Sequence, residues 1–243
     1  MRRKLLPFHD ERACKIDMIV LHAVAYPPKQ AIQTFIDNKV SSHYVIGRDG
    51  EVWQLAGEKH RAWHAGKSLW KGKDDINSHA IGIELCTSTL GQTPFSQKQQ
   101  SSLTSLLKRL IKKYHIKPEN IVGHSDVAPT RKPDPGRAFF WKDLAKQGIG
   151  LWYDLKDAAK IKEEKPEKLL QIIGYDTTDI EATLFAFCRH FVPEKVPEIK
   201  DIKTLIEKPI VRDLNLAKDE KVLKVLRAVA YAYLSASKTP CKI

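Results

Sequence analysis

Three residues of types that bind metal ions stand out in the first 140 residues. His22 ends a short apolar run over residues 16–22, while His124 and Asp134 lie ten residues apart in a segment rich in glycine and proline. Two imidazoles and a carboxylate from separate segments form a three-ligand set that leaves zinc a fourth position for water, as in catalytic zinc sites. Taken singly, His22 is also compatible with a hydrogen-bonded core histidine and Asp134 with a turn residue.

A carboxylate interrupts a second apolar run. Residues 80–86 read AIGIELC, a pattern typical of a buried strand, and Glu84 lies within it. Burying an unpaired charge is costly, so Glu84 must be ion-paired, bound to a metal-bound water or protonated. A salt bridge to a nearby basic residue would satisfy it without any catalytic role. Lys132, two residues before Asp134, would by itself be a solvated lysine.

The segments that position these residues alternate between strand and helix patterns. Asp49-Gly50 predicts the tight turn of a hairpin, and Ser96 followed by Gln99 resembles a capping box at the start of a helix. The order of the patterns predicts an α/β fold in which a mixed central β-sheet is flanked by helices. The expected elements are strands at 16–22 and 80–86, a hairpin at 43–56, helices near 29–40, 96–115 and 139–148, and an ordered loop at 121–141.

The pattern changes after residue 150. Residues 151–165 are a charged connector, and the rest of the chain is dominated by apolar stripes at helical spacing. The sequence therefore predicts a catalytic domain over residues 1–150 and a small all-helical domain over residues 166–243. The expected helices of the second domain are 165–175, 178–192 and 218–236.

Composition excludes several classes of protein. With 42% hydrophobic and 29% charged residues, the chain is neither collagen-like nor disordered. No apolar stretch reaches the roughly 18 residues of a membrane span, and the charged start lacks the apolar run of a signal sequence. The cysteines are far apart, which argues against a disulfide scaffold or a zinc knuckle. All four cysteines are expected to be ordinary thiols: Cys14, Cys86, Cys188 and Cys241.

The net charge of +12 is unevenly distributed. Residues 161–243 carry 15 basic and 13 acidic residues, which leaves a charge of +10 on residues 1–160, where eight of the nine histidines also lie. A positive field suits a polyanion such as nucleic acid, although lysines that keep a protein soluble explain it equally well. No motif of the nucleic-acid-binding class accompanies it, so no nucleic-acid partner is expected.

Several separated motifs together resemble one enzyme family. GHSDVAPTRKPDPG at residues 123–136, with LHAVAY upstream and WHAG and NSHAIGIEL between, is similar to the zinc-dependent N-acetylmuramoyl-L-alanine amidases of the AmpD/AmiD type. The resemblance covers about residues 15–148. The helical tail, especially FAFCRHFVP, more weakly resembles the peptidoglycan-binding domain of AmiD-type members.

This resemblance implies a reaction, a cofactor and a set of site residues. The reaction is hydrolysis of the amide bond between the lactyl group of N-acetylmuramic or anhydro-muramic acid and L-alanine of the stem peptide, with peptidoglycan or a muropeptide as partner. The cofactor is one Zn²⁺ per chain. The implied residues are the zinc ligands His22, His124 and Asp134, the catalytic residues Glu84 and Lys132, and the substrate contacts Trp63, His64 and Asn77.

Two questions stay open at the level of sequence. A peptidoglycan-recognition module would hold muropeptides on the same fold without cleaving them; such modules lose a zinc ligand, whereas this chain retains three candidate ligands and Glu84. The absence of a recognisable signal sequence favours a cytoplasmic enzyme that recycles wall fragments, whereas the AmiD-like tail favours the periplasm or cell envelope. No pattern in the sequence specifies an oligomeric state.

Overall fold

A mixed β-sheet organises the fold of residues 1–238, the part of the chain that the computed structural model describes. The strands are β1 (Arg2–Arg3), β2 (His9–Glu11), β3 (Met18–Val24), β4 (Tyr44–Ile46), β5 (Val52–Gln54), β6 (His60–Ala62), β7 (Ala80–Cys86) and β8 (Ile121–Gly123). Six of them form the sheet in the order β1-β5-β4-β7-β3-β8, and β2 pairs with β6 in a separate ribbon. Only β4 and β5 pair antiparallel within the six-stranded sheet.

Helices cover both faces of this sheet, so the predicted fold class is confirmed. They are α1 (Pro28–Asp37), α2 (Ile76–His79), α3 (Gln97–Tyr114), α4 (His124–Val127), α5 (Trp141–Ala145), α6 (Pro166–Ile173), α7 (Ile180–Phe191), α8 (Ile202–Glu207) and α9 (Glu220–Lys238).

Most of these elements were predicted from local patterns in the sequence. The hairpin of β4 and β5 is confirmed, with Gly50 at a φ of 85° in its turn. Ser96 caps α3 by accepting a hydrogen bond from the Gln99 backbone N–H. The Gln99 side chain does not complete the capping box, because its amide donates to the carbonyls of Ile46 and Cys86 and ties α3 to the sheet. The expected loop at 121–141 is wrong at its start, which forms β8 and α4.

Alternate residues of β3 face opposite sides of the sheet, as strand geometry requires. Ile19 and Leu21 pack with the buried leucines of α3 on one side. Met18 and Val20 pack on the other side against the buried apolar residues of α6, α7 and α9. His22 continues the second row, so it lies on the face that the C-terminal helices cover.

The hydrophobic core is continuous across residue 150. One cluster of buried side chains includes Val122 and Val127 from the first part of the chain and Leu170, Phe187 and others from the C-terminal helices. The C-terminal helices therefore complete one face of the central sheet. The division into domains over 1–150 and 166–243 stays a prediction about which segments fold on their own.

Two further sequence expectations concern membranes and cysteines. Among the described residues, no helix combines the length and the apolar character needed to cross a membrane. Cys14 is exposed, and Cys86 and Cys188 are buried; all three are free thiols. Cys241 lies outside the described residues.

A chain shortened to residues 1–150 tests whether the shared core is needed for folding. Shortening exposes Met18, Val20 and Val122, so we expect the midpoint of thermal unfolding to fall by more than about 10 °C, measured by calorimetry. As a control, Leu155→Ser changes an exposed connector side chain and should shift the midpoint by no more than about 2 °C. A shortened chain that unfolds cooperatively at the midpoint of the full chain would establish an independent domain.

Candidate active site

Two histidine nitrogens and one carboxylate oxygen converge at the carboxyl end of β3. His22 Nδ1 lies 2.9 Å from His124 Nδ1 and 3.3 Å from Asp134 Oδ2, and His124 Nδ1 lies 3.1 Å from the same oxygen. His22 belongs to β3, His124 begins α4, and Asp134 lies in the loop beyond it. In the described part of the chain, this is the one group of three His, Cys, Asp or Glu side chains arranged to hold a metal ion.

These three distances fit a tetrahedral ion. Ligands about 2.0–2.1 Å from a tetrahedral zinc ion lie about 3.3 Å from one another, close to the observed 2.9 to 3.3 Å. All three side chains are buried, and the three facing atoms carry lone pairs that repel one another unless a cation or a proton lies between them. The donor set, two imidazoles and one carboxylate, is one that zinc prefers.

Burial and neighbouring groups favour the metal-binding protonation states of His22 and Asp134. Burial, reinforced by the neighbouring His124 and opposed by Asp134, lowers the pKa of His22 to about 4. Burial by itself would raise the pKa of Asp134, but the adjacent His124 and His22 outweigh it and hold that pKa well below its usual value. A neutral imidazole and an ionised carboxylate are the forms that coordinate a metal.

The far nitrogens of both histidines have partners that orient the rings. His124 Nε2 donates to the carbonyl of Ala65 at 3.1 Å, and His22 Nε2 lies 3.1 Å from His64 Nδ1. With hydrogens on these Nε2 atoms, both Nδ1 atoms present lone pairs toward Asp134. Such outer partners fix the tautomer and the ring angle of metal-binding histidines.

Glu84 lies beside this set because of the strand register. β3 and β7 pair in parallel with His22 opposite Glu84, and Glu84 Oε1 is 4.0 Å from His22 Nδ1. Burial, reinforced by the charge of Asp134 and opposed by Lys132, raises the pKa of Glu84 to about 8. The structure does not contain the alternative, a salt bridge between Glu84 and a lysine or arginine. Among the described residues, no lysine or arginine lies within ion-pair distance of Glu84.

Lys132 lines the same cavity as Glu84 and Asp134. Its backbone N–H donates to the carbonyl of Ala128 at 3.0 Å, which closes a turn between the two loop ligands. The structure therefore brings together all five residues proposed to bind metal or act in catalysis.

The three expected substrate contacts lie at the cavity in different ways. Trp63 is partly exposed and donates from its indole N–H to Asp10 at 2.7 Å. Asn77 Oδ1 accepts from the backbone N–H groups of His64 and Ala65, at 3.0 and 2.8 Å. His64 packs directly over Gly82, where a Cβ atom would lie 2.4 Å from the imidazole ring. His64 and Asn77 thus also support the metal-binding set, the three candidate ligands His22, His124 and Asp134. The sequence did not suggest this function.

The cavity has a volume of about 490 Å³ and opens beside the metal-binding set. Arg131 and Ile206 are among the lining residues that sequence reasoning missed. Arg131 donates to the carbonyl of Ala65 at 2.8 Å, and its place beside Lys132 in the loop motif was the available signal. Ile206 reaches the cavity from α8, and no local pattern connects it with residues more than 70 positions earlier.

A second cavity, of about 390 Å³, lies at the opposite end of β3. Lys71, Lys117 and Glu119 are among its lining residues. No set of metal-binding side chains converges there within the described residues.

Comparison with known proteins agrees with this geometry. The family model of the N-acetylmuramoyl-L-alanine amidases matches residues 12–137. The chain is 36% identical over 209 residues to N-acetylmuramoyl-L-alanine amidase AmiD of Escherichia coli, covering 74% of this chain and 76% of the relative. It is 35% identical over 148 residues to 1,6-anhydro-N-acetylmuramyl-L-alanine amidase AmpD of Haemophilus influenzae, covering 52% of this chain and 79% of the relative.

One of two similar solved structures extends the similarity over the C-terminal helices. The complex of E. coli AmiD with anhydro-N-acetylmuramic acid-L-Ala-D-gamma-Glu-L-Lys aligns with a TM-score of 0.72 at 30% identity, over 93% of this chain and 92% of that one. The crystal structure of an AmpD derivative aligns with a TM-score of 0.53 at 31% identity, over 60% and 92% of the two chains. The resemblance drawn from the motifs is confirmed, and the protein belongs to the N-acetylmuramoyl-L-alanine amidase family.

Proposed function

We propose that this protein hydrolyses the amide bond between the lactyl group of N-acetylmuramic or anhydro-muramic acid and L-alanine of the stem peptide. The observation that carries this proposal is the convergence of His22, His124 and Asp134 beside the buried Glu84. The relatives named AmiD and AmpD support the same bond, and the muropeptide in the AmiD complex supports the substrate class.

An amide resists hydrolysis because its carbonyl is weakly electrophilic and its amine leaves poorly. The donor set and its spacing fit one zinc ion per chain, held by His22, His124 and Asp134. When bound, this ion supplies Lewis-acid polarisation of the carbonyl and lowers the pKa of water to about 7.

Glu84 moves the proton in the proposed reaction. Its carboxylate accepts the proton of the attacking water as the C–O bond forms, and it returns that proton to the amine nitrogen as the C–N bond breaks. The products are the lactyl carboxylic acid, which ionises, and a stem peptide with a free amino group on L-alanine. Burial raises the pKa of Glu84 from its usual value toward neutrality, which suits a group that must both accept and release a proton.

Lys132 stabilises the negative charge that develops on the carbonyl oxygen. Lys132 is, with Arg131, one of two adjacent cationic residues of the loop that carries Asp134, and it lines the cavity with Glu84. A fixed positive charge in a site that excludes water lowers the energy of an oxyanion without reorganisation during the reaction. Retention of Glu84 and Lys132 beside a full ligand set favours an amidase over a module that only binds muropeptides.

Zinc content tests the proposed metal centre. The purified protein should contain close to one zinc per chain, measured by atomic emission, and removal of zinc should abolish release of stem peptide from muropeptides, followed by mass spectrometry. His22→Ala, His124→Ala and Asp134→Ala should each weaken zinc binding, because a three-ligand site has no spare donor. Full amidase activity in metal-free protein would overturn the mechanism.

Replacement of Glu84 tests proton transfer separately from metal binding. Glu84→Gln keeps the shape of the side chain and removes the base, so kcat should fall by about 10²-fold or more while zinc stays bound. Glu119→Gln is a matched control, since Glu119 is a buried carboxylate that lines the other cavity. Loss of zinc from Glu84→Gln, or an equal loss of kcat in Glu119→Gln, would contradict the role given to Glu84.

A further inference from the structure

A second buried carboxylate lies close to the metal-binding set without belonging to it. Asp126 is two residues after His124 in the single turn of α4, and only 1% of its surface is exposed. A helix of one turn has little stability of its own, because helix nucleation is unfavourable. The position of His124 therefore depends on what holds this turn in place.

Three donors converge on the Asp126 carboxylate. Oδ2 accepts from the backbone N–H of Gly123 at 2.7 Å and from His190 Nδ1 at 2.8 Å. Oδ1 accepts from the hydroxyl of Tyr175 at 2.7 Å. Gly123 is local, whereas Tyr175 and His190 come from the C-terminal helical region, 49 and 64 positions away.

The two distant donors are themselves fixed by aromatic packing. The His190 ring stacks on Trp141 and on Phe191, with centroids 3.9 Å apart in both pairs. The Tyr175 ring packs edge to face on Trp70 at 5.0 Å. Both donors are buried, so their hydrogen bonds to Asp126 do not compete with solvent.

The segment that carries Asp134 is also bonded to α7, the helix that contains His190. Arg189, also in α7, is buried and donates to the carbonyl of Lys132 at 3.4 Å and to the carbonyl of Pro209. Its guanidinium lies 4.4 Å from the Phe185 ring. Within the loop, the Ser125 N–H donates to the Asp134 carbonyl at 2.8 Å, which links the segments of the two ligands.

We propose that Tyr175, His190 and Arg189 are positioning residues that hold the loop over residues 123–134 in its metal-binding geometry. The hydrogen bonds to Asp126 fix the turn that carries His124, and the bond to the Lys132 carbonyl fixes the segment that carries Asp134. The C-terminal helical region thus preorganises two of the three zinc ligands. This inference rests on the proposed zinc site, and it assigns the helical region a part in metal affinity beyond its part in the core.

Replacements that remove one donor and keep an aromatic ring at the position test this proposal. Tyr175→Phe and His190→Phe should each raise the zinc Kd by about 10-fold to 100-fold, measured by chelator competition on the folded protein. The visible absorption spectrum of the cobalt-substituted protein should change as well, because the angle between the ligands is no longer fixed.

Two controls separate positioning from stability. Tyr153→Phe also removes a tyrosine hydroxyl that donates to α7, at the Phe191 carbonyl, but it leaves Asp126 untouched. Leu226→Ala removes a buried side chain of the shared core and lowers the unfolding midpoint without removing a donor to Asp126. Both controls should keep the zinc Kd and the cobalt spectrum within about twofold of the parent protein, a span of about 0.4 kcal/mol.

The outcomes distinguish this inference from the proposed function. A parent protein that binds no zinc would overturn the proposed function, and this inference with it. Tight zinc binding by the parent and an unchanged Kd in Tyr175→Phe or His190→Phe would overturn the positioning role alone. Leu226→Ala is compared with a positioning variant that has the same unfolding midpoint. If both lose zinc affinity to the same extent, the positioning role is overturned too, because affinity then follows global stability. If either Tyr175→Phe or His190→Phe does not fold, the zinc Kd of the other variant decides whether the positioning role holds.

Discussion

The structure depends on one constraint: three buried atoms that carry lone pairs lie within 3.3 Å of one another. They are His22 Nδ1, His124 Nδ1 and Asp134 Oδ2. Burial makes a proton on His22 costly and lowers its pKa, so a proton on that nitrogen relieves their repulsion poorly near neutral pH. A divalent cation relieves it fully. The polar groups around the site serve this arrangement: the Ala65 carbonyl and His64 turn both imidazoles so that their lone pairs face Asp134.

The site joins one rigid half to one half that needs support. His22 and Glu84 are opposite residues of two central parallel strands, so the sheet ladder fixes their separation. His124 and Asp134 lie on a segment whose regular structure is one helical turn, and a loop is held only by the contacts it makes. The contacts that join this segment to the C-terminal helical region are made by Asp126 and the Lys132 carbonyl, both bonded to side chains from beyond residue 150.

Sequence reasoning succeeded where the signal was local. β7 was located at its observed bounds because polar residues flank its apolar run on both sides, and Glu84 stood out against the apolar residues around it. The ribbon of β2 and β6 was missed because strands of three residues carry no periodicity. The contact of His64 with His22 spans 42 positions, and nothing in the spacing of two histidines indicates that one orients the other.

The clearest missed signal concerns α7. A helix that is hydrophobic on all sides must be buried on all sides, and every residue of α7 from Ala182 to Phe191 is buried, including Arg189 and His190. The run TLFAFCRHF has no polar face that a peripheral helix of a separate domain would require. Its two basic residues therefore had to find partners inside the protein. Asp126 and the Lys132 carbonyl are among the partners they find, and both belong to the loop that carries two candidate metal ligands. A helix beyond the residues that the family model matches is therefore bonded directly to the candidate site.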